Sequence, residues 1–257
     1  MTAAPAIGIV GGVGPYAGLD LTKKVFDQTL AGSDQEHVPV IMISRPGDIA
    51  DRTEYLLGHV DANPGHAIAR IIGTLEQSGA TVIGIPCNTA HAPAIFNCII
   101  DELEQAGSTV RVLHMIREVA IFLHDIHPSI HRVGVLSTIG TYQTGIYAST
   151  LATEGFDILQ PGEDRQRWVH DTVYHPGFGI KAQSNPVTAE ARQRLLQATG
   201  ELADAGAQAV ILGCTEMPLA VTEHAVDGIA IIDPTLILAR ALIRDTAPQK
   251  LKPFAFT

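Results

Sequence analysis

Short apolar runs alternate with longer amphipathic stretches along almost the whole chain of 257 residues. The apolar runs stop at glycine, proline or polar residues, as buried strands do, whereas the amphipathic stretches have the spacing of helices. Strands separated by helices predict parallel sheets with helices on both faces, an α/β fold. The predicted strands are 6–10, 38–44, 80–85, 110–113, 133–136, 156–159, 209–212 and 229–232. The predicted helices are 15–30, 65–77, 92–105, 116–125, 141–154, 161–175, 187–205 and 234 to about 245.

This pattern occurs twice in the chain. Cys87 and Cys214 each follow an apolar run and stand 127 residues apart (214 − 87). Gly8 and Gly134, in another pair of matching strands, stand 126 residues apart (134 − 8). Two pairs at nearly one offset indicate a duplicated unit of about half the chain. We therefore predict two similar doubly wound domains related by pseudo-twofold symmetry, each with a central parallel sheet flanked by helices. The predicted domains are 1–116 and 117–233, and the C-terminal helix 234–257 is expected to pack back on the first.

Composition and charge exclude several functional classes. A net charge of −10 does not fit a nucleic-acid surface, which needs a basic patch. No apolar run reaches the roughly 20 residues that a membrane helix requires. The first residues lack the basic stretch of a signal peptide, and three cysteines then fit free thiols in a reducing, cytoplasmic compartment. The cysteine spacing gives no close metal-ligand pair, so we expect no metal site.

The two strand-end cysteines are the main candidates for chemistry. Ligands in open α/β sheets bind beyond the carboxyl ends of the strands, where Cys87 and Cys214 stand. A helix beginning beyond each cysteine would lower its pKa and favour the thiolate. The alternative is that both are inert buried thiols. Cys98 lies within a predicted helix and is expected in the core.

A glycine-rich turn after the first strand supports a different interpretation. Gly12-Val13-Gly14-Pro15-Tyr16-Ala17 fits the relaxed dinucleotide pattern G-x-G-x-x-A. A ribose-binding acidic residue should then end the second strand, but Ser44 and Arg45 stand there. The turn also fits a general anion site at a helix N-terminus. An NAD(P)-dependent oxidoreductase therefore stays an alternative.

Charged and polar side chains near the strand ends complete the candidate site. Arg52 and Lys181 are candidate clamps for an anionic substrate, although most surface cations are only solvated. Glu216 would hold or polarise the Cys214 thiol, or complement a helix N-terminus. His91 would orient the start of the helix after Cys87, or be an ordinary core or surface histidine.

At these residues the chain resembles the aspartate/glutamate racemase family, and within it the aspartate racemase branch. Two departures from the glutamate racemase pattern favour that branch: Gly11-Gly12 in place of Asp-Ser, and Glu216 in place of histidine. The stretches that carry the resemblance are Gly11-Gly12-Val13-Gly14-Pro15, Asp34-Gln35-Glu36-His37, Asp51-Arg52-Thr53, Pro86-Cys87-Asn88-Thr89-Ala90-His91 and Gly213-Cys214-Thr215-Glu216.

The resemblance implies a racemase that works without pyridoxal phosphate or another cofactor, with its active site between the two domains. Cys87 and Cys214 would be the two bases acting on a dicarboxylic amino acid, most simply aspartate. Family members are often homodimers. The implied substrate-binding residues are Gly12, Val13, Arg52, Asn88, Thr89, Ser137, Thr138, Thr141, Lys181 and Thr215, with Glu216 and His91 in support.

Several activities remain open within this prediction. Relatives include glutamate racemases and racemases that accept both amino acids. They also include maleate isomerases and arylmalonate decarboxylases, and these two classes use the same cysteine positions differently. A non-catalytic sensor of acidic metabolites is an alternative of another class. Racemisation itself requires each sulfur within about 3–3.5 Å of the reacting carbon, hence about 6–7 Å between sulfurs, far more than the roughly 2.05 Å of a disulfide.

Overall fold

A computed structural model describes residues 5–254. Residues 1–4, which enter the prediction that no signal peptide is present, lie outside this range. So do the last three residues of the predicted segment 234–257. The described chain divides into two compact units. Unit 1 combines the residues up to Glu118 with those from Thr235 onward, and unit 2 is Val119–Pro234.

Both units are α/β, as the alternating pattern predicts. The strands are β1 (Ala6–Gly11), β2 (Val40–Ser44), β3 (Ala80–Gly84), β4 (Arg111–Val112), β5 (Arg132–Ser137), β6 (Asp157–Leu159), β7 (Ala209–Gly213), β8 (Ala225–Val226) and β9 (Ile229–Ile232). The helices are α1 (Pro15–Asp27), α2 (Arg52–Leu56), α3 (Pro64–Gln77), α4 (Pro93–Gln105), α5 (Met115–Ile126), α6 (Ile139–Thr144), α7 (Ile146–Ala152), α8 (Glu163–Tyr174), α9 (Ala189–Asp204) and α10 (Pro234–Thr246).

Unit 1 contains a parallel sheet in the order β2-β1-β3-β4. One apolar cluster joins the sheet to α3 and α4, and a second joins it to α1 and α10. A Cβ on Gly84 of β3 would lie 2.8 Å from the Leu242 side chain of α10. The C-terminal helix is therefore part of the core of unit 1, next to the strand that leads to Cys87.

Unit 2 repeats this strand order as β6-β5-β7-β9, with β8 added at the edge. Its four shared strands are parallel, but β8 runs antiparallel to β9. The turn between them, Asp227-Gly228, has positive φ at both residues (49° and 82°), the conformation of a two-residue hairpin. The central sheet is parallel as predicted, and the antiparallel edge strand β8 was not predicted.

Two local predictions also need correction. The predicted helix 141–154 is two helices, because Gly145 adopts φ 59°, a left-handed conformation that interrupts the hydrogen-bond ladder. Residues 45–64, between the predicted strand 38–44 and the predicted helix 65–77, contain the short helix α2, which the pattern does not predict. The Asp51 carboxylate accepts hydrogen bonds from the backbone N–H groups of Thr53 and Glu54, which caps this helix.

Candidate active site

Cys87 follows β3 and is buried, with 7% of its surface exposed. Its extended backbone leads into a 3₁₀ turn, Asn88–His91, and α4 begins only at Pro93. The expected helix therefore does not begin directly at Cys87. The Cys87 carbonyl accepts hydrogen bonds from the Ala90 backbone N–H at 3.2 Å and from His91 Nδ1 at 2.9 Å.

His91 supports this turn from inside unit 1. Burial lowers the pKa of His91 to about 4, so the ring is neutral at pH 7. Of its two nitrogens, Nδ1 makes the shorter contact with a carbonyl, which favours the tautomer that donates to Cys87; the Leu113 carbonyl is 3.4 Å from Nε2. Phe96 stacks on the His91 ring with 5.3 Å between ring centres, and His114 contacts it edge-on with 4.9 Å between ring centres. A neutral, fully enclosed ring orients the Cys87 backbone.

Arg52 is fixed beside the glycine-rich turn. It begins α2, is 7% exposed, and donates hydrogen bonds to the carbonyls of Val13 and Ala50. Gly12 has φ 83°, and a Cβ there would lie 2.8 Å from the Pro46 backbone nitrogen. Glycine is thus required for the turn that presents the Val13 carbonyl to the guanidinium.

Unit 1 brings its predicted site residues to one edge of the sheet. Val13 and Cys87 belong to the same apolar cluster, and α2 packs against the turn Asn88–His91. Asn88 and Thr89 are buried in that turn. Polar groups enclosed at the carboxyl ends of parallel strands are where α/β proteins place a ligand.

Cys214 has a different environment. It follows β7, is 9% exposed, and its Sγ donates to Glu216 Oε2 at 3.0 Å. The Thr215 hydroxyl lies 3.4 Å from the same carboxylate oxygen. Only a 3₁₀ turn, Met217–Leu219, follows.

Cys214 is therefore a thiol in the resting protein. Burial first, and then the negative charge of Glu216, raise the pKa of Cys214 well above its ordinary value, while Lys181 acts in the opposite direction. The expectation that a helix N-terminus lowers the pKa of this cysteine is wrong, because the thiol is buried, a carboxylate contacts the sulfur and a 3₁₀ turn follows in place of an α-helix.

Lys181 stands near this carboxylate. Its Nζ is 4.0 Å from Glu216 Oε1 and 4.6 Å from the centre of the Tyr174 ring. The Lys181 backbone N–H donates to the Val173 carbonyl at 3.0 Å, which fixes the loop after α8. The Lys181 side chain is 29% exposed, against 7% for that of Glu216, so solvent reaches the cation more easily than the carboxylate.

The predicted hydroxyl groups of unit 2 are also buried. Ser137 ends β5 and is paired in register with Gly213, the residue before Cys214. Thr138 and Thr141 follow at the start of α6, each 2% exposed. A Cβ on Gly213 would lie 2.8 Å from the Leu136 carbonyl, so only glycine lets β7 pass this close to β5.

Four further side chains near these groups were not predicted. Tyr147 is 1% exposed, and burial, Cys214 and Asp233 raise its pKa well above the ordinary value. The other three lie on α8 at intervals of four residues, a spacing that places them on one helix face. That spacing is visible in the sequence, but the contacts that connect this helix face to the site are made with residues far away in the chain. These three residues are Gln166, His170 and Tyr174.

Cys98 is separate from both cysteine sites. It lies on α4 half-buried rather than in the core, with its Sγ 3.6 Å from His66 Nδ1 of α3. Within residues 5–254, no group of three or more His, Cys, Asp or Glu side chains is arranged to hold a metal ion. Over the same range, no helix is long and apolar enough to cross a membrane.

Two similar α/β units, each with a buried cysteine beyond an inner strand, are features that can be compared with known families. Residues 10–242 match the family model described as Asp/Glu/Hydantoin racemase, and the chain belongs to this family. It is therefore an isomerase of the racemase type that acts on a small amino-acid substrate.

Similar proteins differ in the substrates for which they are named. The broad-specificity amino-acid racemase RacX of Bacillus subtilis is 29% identical over 242 residues, covering 92% of this chain and 96% of its own. The structure of the Picrophilus torridus aspartate racemase is 30% identical with a TM-score of 0.80, covering 97% and 96%. A Synechococcus glutamate racemase is 28% identical over 196 residues, covering 74% and 66%.

Proposed function

We propose that this enzyme interconverts L- and D-aspartate without a cofactor, with Cys87 and Cys214 as the two acid–base groups. One observation carries the proposal: two units of the same strand order each carry a cysteine just beyond the corresponding inner strand. Cys87 is the third residue after β3, and Cys214 is the first residue after β7. The aspartate preference rests on the similarity to the Picrophilus torridus enzyme over nearly the whole chain.

The proposed chemistry needs opposite protonation states at the two sulfurs. A thiolate on one face of Cα takes the proton, and the electrons of the broken C–H bond move toward the α-carboxylate. The thiol on the other face then delivers its proton to Cα, which inverts the centre. Cys214, held as a thiol by its surroundings, suits the donor role, and Cys87 is then the base in that direction. The reverse reaction exchanges these roles.

Glu216 gives Cys214 a way to change its protonation state. Its carboxylate accepts the Sγ–H hydrogen bond at 3.0 Å and lies 4.0 Å from Lys181 Nζ. A base that accepts the thiol proton leaves a thiolate, and the nearby ammonium stabilises that anion. In the proposal Glu216 is a positioning residue that also tunes the thiol, since it acts through Cys214.

The two cations would bind the two carboxylates of the substrate. Arg52 offers a planar guanidinium suited to a carboxylate, and Lys181 offers a point charge in the other unit. Backbone groups of Gly12 and Val13 and the surrounding amides and hydroxyls would stabilise charge that develops on the α-carboxylate. The proposed amide and hydroxyl groups are those of Asn88, Thr89, Thr215, Ser137, Thr138 and Thr141.

We also propose a cytoplasmic homodimer as the working form, following the family resemblance. Sedimentation velocity across a concentration series tests the dimer: a single monomer boundary at all concentrations contradicts it.

The decisive test is hydrogen exchange at Cα in heavy water, measured by NMR on both enantiomers of aspartate and glutamate. Aspartate should exchange fastest, and Cys87→Ser and Cys214→Ser should each reduce racemisation by several orders of magnitude. Cys98→Ser is the matched control and should retain wild-type turnover. Near-wild-type turnover in either active-site variant contradicts the two-base assignment.

The same assay separates the other candidate functions. Equal exchange of glutamate or of neutral amino acids indicates a broad-specificity racemase, the function in the name of the Bacillus relative. Binding of aspartate without any exchange indicates a sensor. Binding of NAD(P), tested by calorimetry, would revive the oxidoreductase.

A further inference from the structure

One face of α8 connects groups that lie far apart in the sequence of unit 2. Gln166, His170 and Tyr174 follow one another at intervals of four residues, so their side chains share this face. Each of them contacts a different part of the candidate site, and none belongs to the residues assigned to the reaction above.

The first two residues of this face hold the turn that follows β5. Gln166 Nε2 donates to the Ser137 carbonyl at 2.6 Å, and Gln166 is only 2% exposed. One helical turn further on, His170 Nδ1 accepts the backbone N–H of Ile139 at 3.3 Å. Two backbone groups two residues apart are thus fixed by one rigid helix, which determines where the Ser137 and Thr138 side chains point.

The third residue of this face holds the cation. The Tyr174 ring stacks on His170 at 4.6 Å, with an interplanar angle of 11°. Lys181 Nζ lies 4.6 Å from the centre of the Tyr174 ring, within the range of a cation–π interaction. Beyond Lys181 follow Glu216 and then the Cys214 thiol. A continuous series of contacts therefore runs from the Ser137 turn through α8 to the reactive sulfur.

We propose that Gln166, His170 and Tyr174 are positioning residues that set the geometry of the Ser137–Ile139 turn and of Lys181 relative to each other. The proposal rests on the function proposed above, because it assigns these residues to the substrate-binding groups of the same site. In this proposal α8 fixes the distance between the turn and the cation, because the residues that contact them are about two helical turns apart on one rigid helix. The groups of unit 2 that bind the substrate then stand at a spacing that the helix determines.

His170 offers the sharpest test, since it is only half-buried. His170→Leu removes the acceptor for the Ile139 N–H, whereas His170→Asn offers Oδ1 close to the original position of Nδ1. We expect His170→Leu to lower kcat/KM for aspartate about tenfold, mostly through KM, and His170→Asn to stay within about threefold of wild type. Arg167→Ala, an exposed position on the same helix, is the control and should leave both constants unchanged.

The outcomes distinguish positioning from a merely structural role. If His170→Leu lowers the melting temperature but keeps the wild-type kcat/KM per folded molecule, or if the asparagine variant fails to restore KM, the proposal is wrong. Should the wild-type enzyme show no exchange with any amino acid, the proposed function itself fails, and a second measurement that needs no substrate still tests the helix.

That measurement uses Cys214 as the only thiol, in a Cys87→Ser, Cys98→Ser background. We follow its alkylation by iodoacetamide at fixed pH. Tyr174→Leu releases the Lys181 ammonium from its aromatic support and should slow alkylation about threefold or more, in the same direction as Lys181→Met, since the cation favours the thiolate. Unchanged alkylation in Tyr174→Leu combined with slower alkylation in Lys181→Met would show that Tyr174 does not position the lysine.

Discussion

Acidification should destabilise unit 1 through His91, the residue that orients the Cys87 backbone. The ring is 1% exposed, and burial lowers its pKa from 6.5 to about 4. The unfolded chain therefore binds a proton at a higher pH than the folded protein does. Stability rises with pH wherever the unfolded state binds more protons. The contribution is complete above pH 6.5 and is lost as the pH falls to about 4.

The size of this effect follows from the two pKa values. A difference of 2.5 units (6.5 − 4) corresponds to about 3 kcal/mol over the whole range. Between pH 7 and pH 5 the loss is about 2 kcal/mol. Burial also lowers the pKa of His114, to about 3. Its effect has the same sign but overlaps with that of His91, because two positive rings 4.9 Å apart repel each other.

The assay is urea unfolding of wild type and His91→Asn at pH 7 and pH 5. Asparagine can donate from Nδ2 to the Cys87 carbonyl in place of Nδ1, but it does not titrate. We expect the variant to be less stable than wild type at pH 7, because it loses the stacking on Phe96. Its further loss between pH 7 and pH 5 should be about 2 kcal/mol smaller than that of wild type. His131→Asn, at an exposed position, is the control and should behave as wild type does.

One result would refute this reasoning. If wild type and His91→Asn lose the same free energy of unfolding between pH 7 and pH 5, the His91 ring does not resist protonation. The neutral hydrogen bond to Cys87 would then be wrong as well.

Three further changes have defined outcomes. Arg244→Ala should lower the free energy of unfolding, measured by urea titration, by about 1–3 kcal/mol, because it leaves the buried Glu118 carboxylate without the two hydrogen bonds that join α10 to α5. The control Arg167→Ala breaks an exposed pair with Glu163 and should lower it by less than about 1 kcal/mol. Gly12→Ala should cost about 2 kcal/mol or more by thermal unfolding, since φ 83° is strained for alanine and its Cβ would meet the Pro46 backbone, whereas Gly47→Ala meets no atom and should be close to neutral. Glu216→Gln removes a negative charge that raises the pKa of Cys214. The variant should therefore be alkylated faster by iodoacetamide at Cys214, measured with Cys214 as the only thiol. Slower alkylation would mean that the carboxylate activates the sulfur in the resting protein.

Elements whose signals are local can be predicted from the sequence. Strand ends are marked by glycine, proline or polar residues directly in the chain, which is why the pattern predicts β1, β3, β5 and β7 to within a residue or so. The split between α6 and α7 depends on one backbone angle at Gly145, and the added strand β8 depends on the hairpin turn Asp227-Gly228. Neither feature changes the periodic pattern of hydrophobic residues, so that pattern does not predict it.

The candidate site divides in the same way. The cysteines could be predicted because each follows a strand that the pattern already defines. The protonation state of Cys214 could not, since it depends on the burial of the thiol and on the Glu216 side chain folding back on the sulfur. The role of α8 depends likewise on contacts across 29 residues of sequence, from Gln166 to Ser137.

The two cysteine sites share a framework but differ in how the backbone and thiol are held, and this difference fits a reaction that needs one base and one acid. After β3, a neutral histidine donates a hydrogen bond to the Cys87 carbonyl. After β7, a carboxylate accepts the proton of Cys214 directly at 3.0 Å. A duplicated unit that kept identical surroundings would give both sulfurs the same proton affinity. By carrying a thiol-binding glutamate two residues after its cysteine, where the first unit has Thr89, the second unit biases its own sulfur toward the thiol, the form that the proposed mechanism uses as proton donor.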